Sequence, residues 1–265
     1  MKARFVLTLL LLSALIACTP TLPPPTPAAT GTTLAERTST PTPKAPTRTP
    51  RPTVSPVPTP SRTAAISLIE NLVESRHSDA VDFSPASDGQ FLPVGGQART
   101  GEEGRARLDL APDGTIIRLA PNTFFTLTKL EDEADNPFTL LELFFGKIYI
   151  ILSGGELQVQ TPSGVAAVRG SMLGVSYDPE TKTMTATCLE GHCSLRNDKG
   201  VVDLVAGQAA DIRDGVLSHG PRDITDQELF DWLEFAPELN NFPDLLAGLR
   251  DRINRLPKLP RRWPK

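Results

Sequence analysis

From Ala98 to Ser218 apolar and polar residues alternate in runs of five to seven, broken by glycine at spacings near ten. RARLDL follows Gly104, TIIRLA follows Gly114, KIYIIL follows Gly146, ELQVQT follows Gly155 and VVDLVA follows Gly200. A period of two places alternate side chains on one face of a strand. With turn residues at this spacing it predicts a mainly β body, a sandwich, barrel or roll, and argues against βαβ units. Residues 64–76, AAISLIENLVESR, fit either a helix face or strand alternation, and periodicity alone slightly favours helix. Beyond Pro221 the period changes. Thr225 and Glu228 have capping-box spacing ahead of Leu229, Trp232 and Leu233, and Pro237 ends that helix. A second helix is expected from Pro243, with Leu245, Leu246, Leu249 and Ile253 as its apolar stripe. Both stripes read as packing surfaces.

The amino terminus follows other rules. Lys2 and Arg4 precede an apolar run, Phe5 to Ala17, too short for the roughly 20 residues that span a bilayer as a helix. The run closes in Leu15, Ile16, Ala17 and Cys18, which resembles the bacterial lipobox; that resemblance implies cleavage before Cys18 and lipidation of its thiol. Residues 1–17 are then a lipoprotein signal peptide. Residues 19–62 contain 13 prolines and 13 threonines with one acidic residue, Glu36. Such a segment cannot bury enough apolar surface to offset ordering entropy, and its prolines favour extended polyproline II. Residues 18–62 are therefore expected to form a stalk. A proline-rich ligand is the alternative, though export removes its usual cytosolic partners.

Charge divides the chain in the same places. Counting from the sequence, residues 1–17 carry +2, 19–62 carry +4, 63–249 carry −16 and 250–265 carry +6. A body this acidic repels phosphate backbones, which excludes nucleic acid as its partner. The basic tail, Arg250 to Lys265, reads as a solvated helix end, with an anionic surface as its other possible contact.

The strand region resembles the FecR-type domain family. The resemblance runs from about Gly101 to Ile212 through TGEEGRARLDLAPDGTIIRLAPNT, FTLLELFFGKIYI, VQTPSGVAAVRGS, CLEGHCSLRND and VVDLVAGQ. It implies an extracytoplasmic, mainly β module, a β-roll or β-helix-like coil of short strands, to which the pattern beyond Pro221 adds two short C-terminal helices. It also implies that residues 64–97 are strands, not helix. The expected divisions are a β domain at 63–218 and a helical extension at 219–265. Family members that act in iron-uptake signalling carry a membrane-spanning helix and an inner anti-sigma segment; the sequence shows neither, so direct transcriptional regulation is not expected of it.

Within the motifs, Pro121 and Asn122 suit a strand-to-strand turn, Gly170 suits a φ other residues avoid, and Arg169 can donate to neighbouring carbonyls. Ser171 stands where the family usually has threonine. Chemistry is sparse. His77, His192 and His219 are scattered, and the sequence has no CxxC pair, GxSxG elbow or phosphate loop. The run Glu131, Asp132, Glu133 and Asp135 lacks calcium-loop spacing and reads as a solvated loop. No cofactor, metal or catalytic residue is expected. Once Cys18 is lipidated, Cys188 and Cys193 remain as an even pair in an oxidising compartment. A hairpin turning at Glu190 and Gly191 would set the two cysteines opposite each other, within disulfide reach. A metal-binding or redox-active CLEGHC is the alternative, weakened because His192 alternates to the other face from Cys193. The sequence thus points to a lipid-anchored binding or sensing module facing an unknown envelope or extracellular protein, or to a structural envelope scaffold.

Overall fold

The computed structural model describes residues 61–78, 80–132 and 136–254. The expected signal peptide, Cys18, nearly all of the stalk and the tail beyond Asn254 lie outside the described residues. Sixteen strands follow in chain order. They are β1 (Thr63–Glu70), β2 (Val73–Arg76), β3 (Ser84–Pro85), β4 (Gln90–Phe91), β5 (Gln97–Thr100), β6 (Arg105–Ala111), β7 (Thr115–Leu119) and β8 (Phe124–Glu131). Then come β9 (Phe138–Ile151), β10 (Glu156–Thr161), β11 (Gly164–Asp178), β12 (Thr183–Asn197), β13 (Gly200–Val205), β14 (Gln208–Arg213), β15 (Val216–Leu217) and β16 (Arg222–Asp223). Helix α1 (Asp226–Phe235), a 3₁₀ turn (Pro237–Asn241) and helix α2 (Pro243–Asn254) close the described chain. The fold is mainly β, and residues 64–76 are strands rather than a helix.

Three strands are longer than the expected short runs: β9 has 14 residues, and β11 and β12 have 15 each. Each behaves as two short strands joined at a glycine with left-handed backbone: Gly146 (φ 98°), Gly170 (φ 57°) and Gly191 (φ 75°). Pairing partners change at these corners. In β9, residues 138–145 pair with β8 and run parallel to β10, while residues 146–151 pair with β7 and the second half of β11. In β12, residues 183–188 pair with β14, and residues 192–197 pair with β13. The strands therefore sort into two ladders, one running β4, β1, β6, β7, β9, β11, β12 and β14, the other β3, β2, β5, β8, β9, β10, β11, β12 and β13.

Alternation decides which side chains meet between the ladders. Leu108, Ile117, Ile148, Leu173 and Ile212 from the first, with Phe125, Leu141, Leu157, Val168 and Leu204 from the second, belong to one buried core. Arg62 belongs to this body as well, although the sequence placed it in the stalk. It is 8% exposed, and its guanidinium grips Asp113 at 3.0 and 3.1 Å while donating to the carbonyls of Glu131 and Phe138. Burial raises the Asp113 pKa, but the hydrogen bonds from Arg62 and Thr115 more than offset it and the net shift is downward.

The first ladder also has a covered outer face. Strand pairing aligns Arg107, Arg118, Tyr149, Gly174, Thr187 and Ala209 in one row. Helix α1 lies on this row, started by the expected capping box: Thr225 Oγ1 accepts from the Glu228 N–H, and Glu228 accepts from the Thr225 N–H. Trp232 is fully buried above Gly174 and donates its indole N–H to Thr187 Oγ1 at 3.1 Å. A Cβ on Gly174 would crowd both Thr187 Oγ1 and the indole, so glycine here admits the ring to the sheet. Tyr149 meets Trp232 edge-on at 4.9 Å and stacks on Phe235 at 5.7 Å. Leu239 and Leu249 complete this smaller cluster. No helix among the described residues is long and apolar enough to cross a membrane.

Charge fastens the same layer. Glu238, in the 3₁₀ turn, takes Arg118 at 2.5 and 3.0 Å, with Arg107 at 3.5 Å. Burial is the largest influence and pushes the Glu238 carboxyl upward, yet the hydrogen bond and charge of Arg118, a backbone hydrogen bond and Arg107 together outweigh it, and the pKa ends below the ordinary 4.5. Glu228, held by Arg222, is lowered through the same opposition. Groups with depressed folded pKa values stabilise the fold fully above their unfolded values and lose that contribution as pH falls. Stability should therefore decline as pH drops below 4.5, the ordinary Glu value. Because removing one partner strands the other charge, Glu238→Gln should cost about 3 kcal/mol at pH 7 and flatten the acid limb. Denaturant midpoints for both proteins between pH 7 and pH 3 check this.

Candidate functional site

The turn after β7 is built for one conformation. Asn122 adopts φ 52°, and its N–H donates to Gly101 O at 3.0 Å. Two buried threonines hold the turn. Thr100 Oγ1 donates to Ala120 O at 2.7 Å and accepts from the Thr123 N–H at 2.9 Å. Thr123 Oγ1 accepts from the Lys147 N–H at 3.0 Å and donates to Lys147 O at 3.1 Å. Gly146 lies directly against this turn, where any Cβ would strike Asn122 O and the Thr123 backbone. The turn and the first glycine corner are thus locked together.

That junction forms one wall of an open cleft of about 870 Å³. The opposite wall is the β11–β12 turn, from Ser176 through Thr183, with Arg213 of β14 beside it and Phe235 contributed by the end of α1. Its apolar surface comes from Pro121, Phe145, Tyr177 and Phe235, and Phe145 is 37% exposed. Charged groups stand at intervals around it. Asp178 accepts from Thr181 Oγ1 at 2.8 Å and from the Glu180 N–H at 2.9 Å. The Thr181 hydrogen bond, followed by that of Glu180, holds the Asp178 carboxyl below its usual range and keeps it anionic. Lys147 is tied to Asp231 at 2.7 Å, while Arg213 projects into solvent 3.7 Å from Asp211. Burial drives the Tyr149 hydroxyl pKa far upward, so this phenol stays neutral under the cleft's helical side. An apolar floor with separated charges of both signs suits a polypeptide or other mixed surface. No group of three or more His, Cys, Asp or Glu residues among the described residues is arranged to hold a metal ion.

The residues singled out from the sequence separate into two places. Pro121 and Asn122 line the cleft. Arg169, Gly170, Cys188, Gly191 and Cys193 do not; they build the corners of β11 and β12, which run side by side through the Arg169–His192 and Met172–Glu190 pairings. Gly170 takes the left-handed conformation expected of it. Arg169, however, donates to a carboxylate and not to carbonyls, reaching Glu156 Oε2 at 2.6 and 2.8 Å across the β10–β11 pair. The pKa of Glu156 is lowered, first by a hydrogen bond from Gln158, with burial opposing and Arg169 adding to the shift.

The cysteines are joined, with Cα atoms 5.8 Å apart, but the hairpin expected between them is absent. Both lie on β12, Cys188 opposite Leu173 and Cys193 opposite Val168 of β11. In a straight strand, residues five apart point to opposite faces. The corner at Gly191 removes that opposition, so both thiols enter the main core at 0% and 5% exposure, and His192 is left exposed. Thr100, Thr123, Phe145, Asp178 and Phe235 were not identified from sequence. Of these, only Thr123, directly after the Pro-Asn turn, carries a local signal.

Residues 96–194 match the family model described as FecR protein, and the chain carries a FecR domain there. Two crystal structures of a protein provisionally assigned as an anti-sigma factor from Parabacteroides distasonis ATCC 8503, at 2.50 and 1.65 Å resolution, are similar at 17% identity. Each alignment has a TM-score of 0.43 and covers 52% of this chain. The chain spans 63% and 64% of the length of those structures. No curated protein matches the chain.

The corner bond generates its own expectation. Peptide mapping of the non-reduced protein should recover Cys188 linked to Cys193, and reduction should lower stability by about 2 kcal/mol for so short a closed loop. Two free thiols in the non-reduced protein would contradict the assignment.

Proposed function

We propose that the protein is a lipid-anchored, non-catalytic binding or sensing module on the extracytoplasmic face of the cell membrane. Cys18 carries the anchor, the proline-rich segment from there to Pro60 acts as the stalk, and the cleft receives an envelope or extracellular protein. One observation carries this reading. The cleft walls at residues 120–122, 145–147 and 176–183 all fall inside the stretch that matches the FecR model, 96–194, so the domain supplies both walls, with Arg213 and Phe235 added from beyond it. The charge of −16 between residues 63 and 249 favours a partner with a basic surface and a rate of association that falls as salt screens the field.

Anchoring and capture are tested together in cells expressing the full chain. Cys18→Ser should shift the protein out of the membrane fraction or leave an unprocessed precursor. A photo-crosslinking residue at Phe145 should capture one discrete partner, with a yield that falls at high ionic strength, while the same residue at exposed Phe91 should not. Wild-type protein without acyl label, or equal capture at both positions, would overturn the proposal.

A further inference from the structure

The end strands of the two ladders are treated unequally. Two-residue strands β3 and β4 terminate the amino-terminal side, and β14 is shielded by pairings with β15 and β16. Strand β13 is six residues long and pairs only with β12. Its hydrogen-bonding direction follows from the hairpin that starts it. Asn197 and Gly200 close a two-residue turn and so form a hydrogen-bonded pair; alternation then makes Val201, Asp203 and Val205 non-bonded positions toward β12. Their backbone groups face the open edge. The Val205 N–H donates instead to Gln208 Oε1 at 3.0 Å, which agrees with that phase and caps one end of the edge.

The side chains at the same positions are exposed, Val201 at 58% and Val205 at 47%, with Val216 at 58% on neighbouring β15. Val202 and Leu204 alternate into the core. Between the two exposed valines stands Asp203, exposed and with no charged partner among the described residues. An open strand edge is a template for another strand, and the side chains bordering it select which one.

We propose that β13 is a docking edge for an extended polypeptide of alternating apolar, basic and apolar residues, which adds as a strand beside Val201–Val205. This second surface goes beyond the cleft and does not depend on it. Charge complementarity selects the occupant. A second copy pairing antiparallel about this edge would set Asp203 against Asp203, and like charges directly opposite destabilise a strand pair. The chain's own tail is poorly suited too: Pro257 and Pro260 are three apart, so one of them would turn its missing N–H toward the ladder. A lysine or arginine opposite Asp203, flanked by β-branched residues over Val201 and Val205, satisfies every exposed position.

The test titrates the full chain with two synthetic ten-residue peptides that differ only at a central Val-Lys-Val or Val-Glu-Val, read by backbone amide exchange and by affinity. The lysine peptide should protect the Val201 and Asp203 amides and bind better than the glutamate peptide. Asp203→Lys, an exposed change that leaves the β12 pairing intact, should weaken the lysine peptide by roughly threefold and reverse the preference. Protection confined to other segments, equal affinity for both peptides, or a dimer that protects β13 without peptide would overturn the proposal. In those cases Asp203 guards the edge against pairing.

Discussion

Three strands have to leave one ladder and enter the other, and each does so at a glycine in the left-handed region. Gly146, Gly170 and Gly191 sit where side chains would impose strain on the backbone. Straight strands of 14 or 15 residues would extend past the core they help to build. Bent ones close over it, and the core between the ladders exists because the corners do. Two of the corners have additional ties. Gly146 abuts the Asn122–Thr123 turn, and Gly191 lies inside the Cys188–Cys193 loop.

The corners also place the walls of the cleft. The Gly146 corner brings Phe145 and Lys147 against Pro121 and Asn122, while the far end of β11 supplies Tyr177 and Asp178 on the other side. Helix α1 then determines how much of the sheet is available. Trp232 seals the face at Gly174, but the helix ends at Phe235, and that ring joins the cleft. The chain's own helices thus cover one outer face and leave the cleft and the β13 edge open.

Local rules made much of this readable in advance. Period-two alternation located the strands from β6 to β14, and Thr225 with Glu228 marked the start of α1 because a capping box is a contact between near neighbours in sequence. Residues 64–76 were misleading by periodicity, since β1 and β2 break at Asn71, whose φ is 56°, and the break imitates helical spacing. The failures share a cause. A glycine between two alternating runs looks the same whether the chain reverses or only bends, so Gly191 read as a hairpin turn when β12 continues through it. Arg62 looked like part of the proline-rich segment because its partner, Asp113, is 51 residues away. The cleft was illegible for the same reason: Asn122, Phe145, Asp178 and Phe235 come from four separate segments, and only long-range pairing unites them.

The direct test of the glycine corners compares the thermal and denaturant stability of Gly146→Ala with that of Gly170→Ala. Gly170 has open space where a Cβ would stand, so alanine there meets only left-handed strain, about 1 to 2 kcal/mol. At Gly146 the same strain is joined by collision with Asn122 O and the Thr123 backbone. The loss at Gly146 should be at least twice that at Gly170, accompanied by faster amide exchange at Asn122 and Thr123. Equal losses at the two positions, with exchange at the turn unchanged, would contradict the role given to the corners.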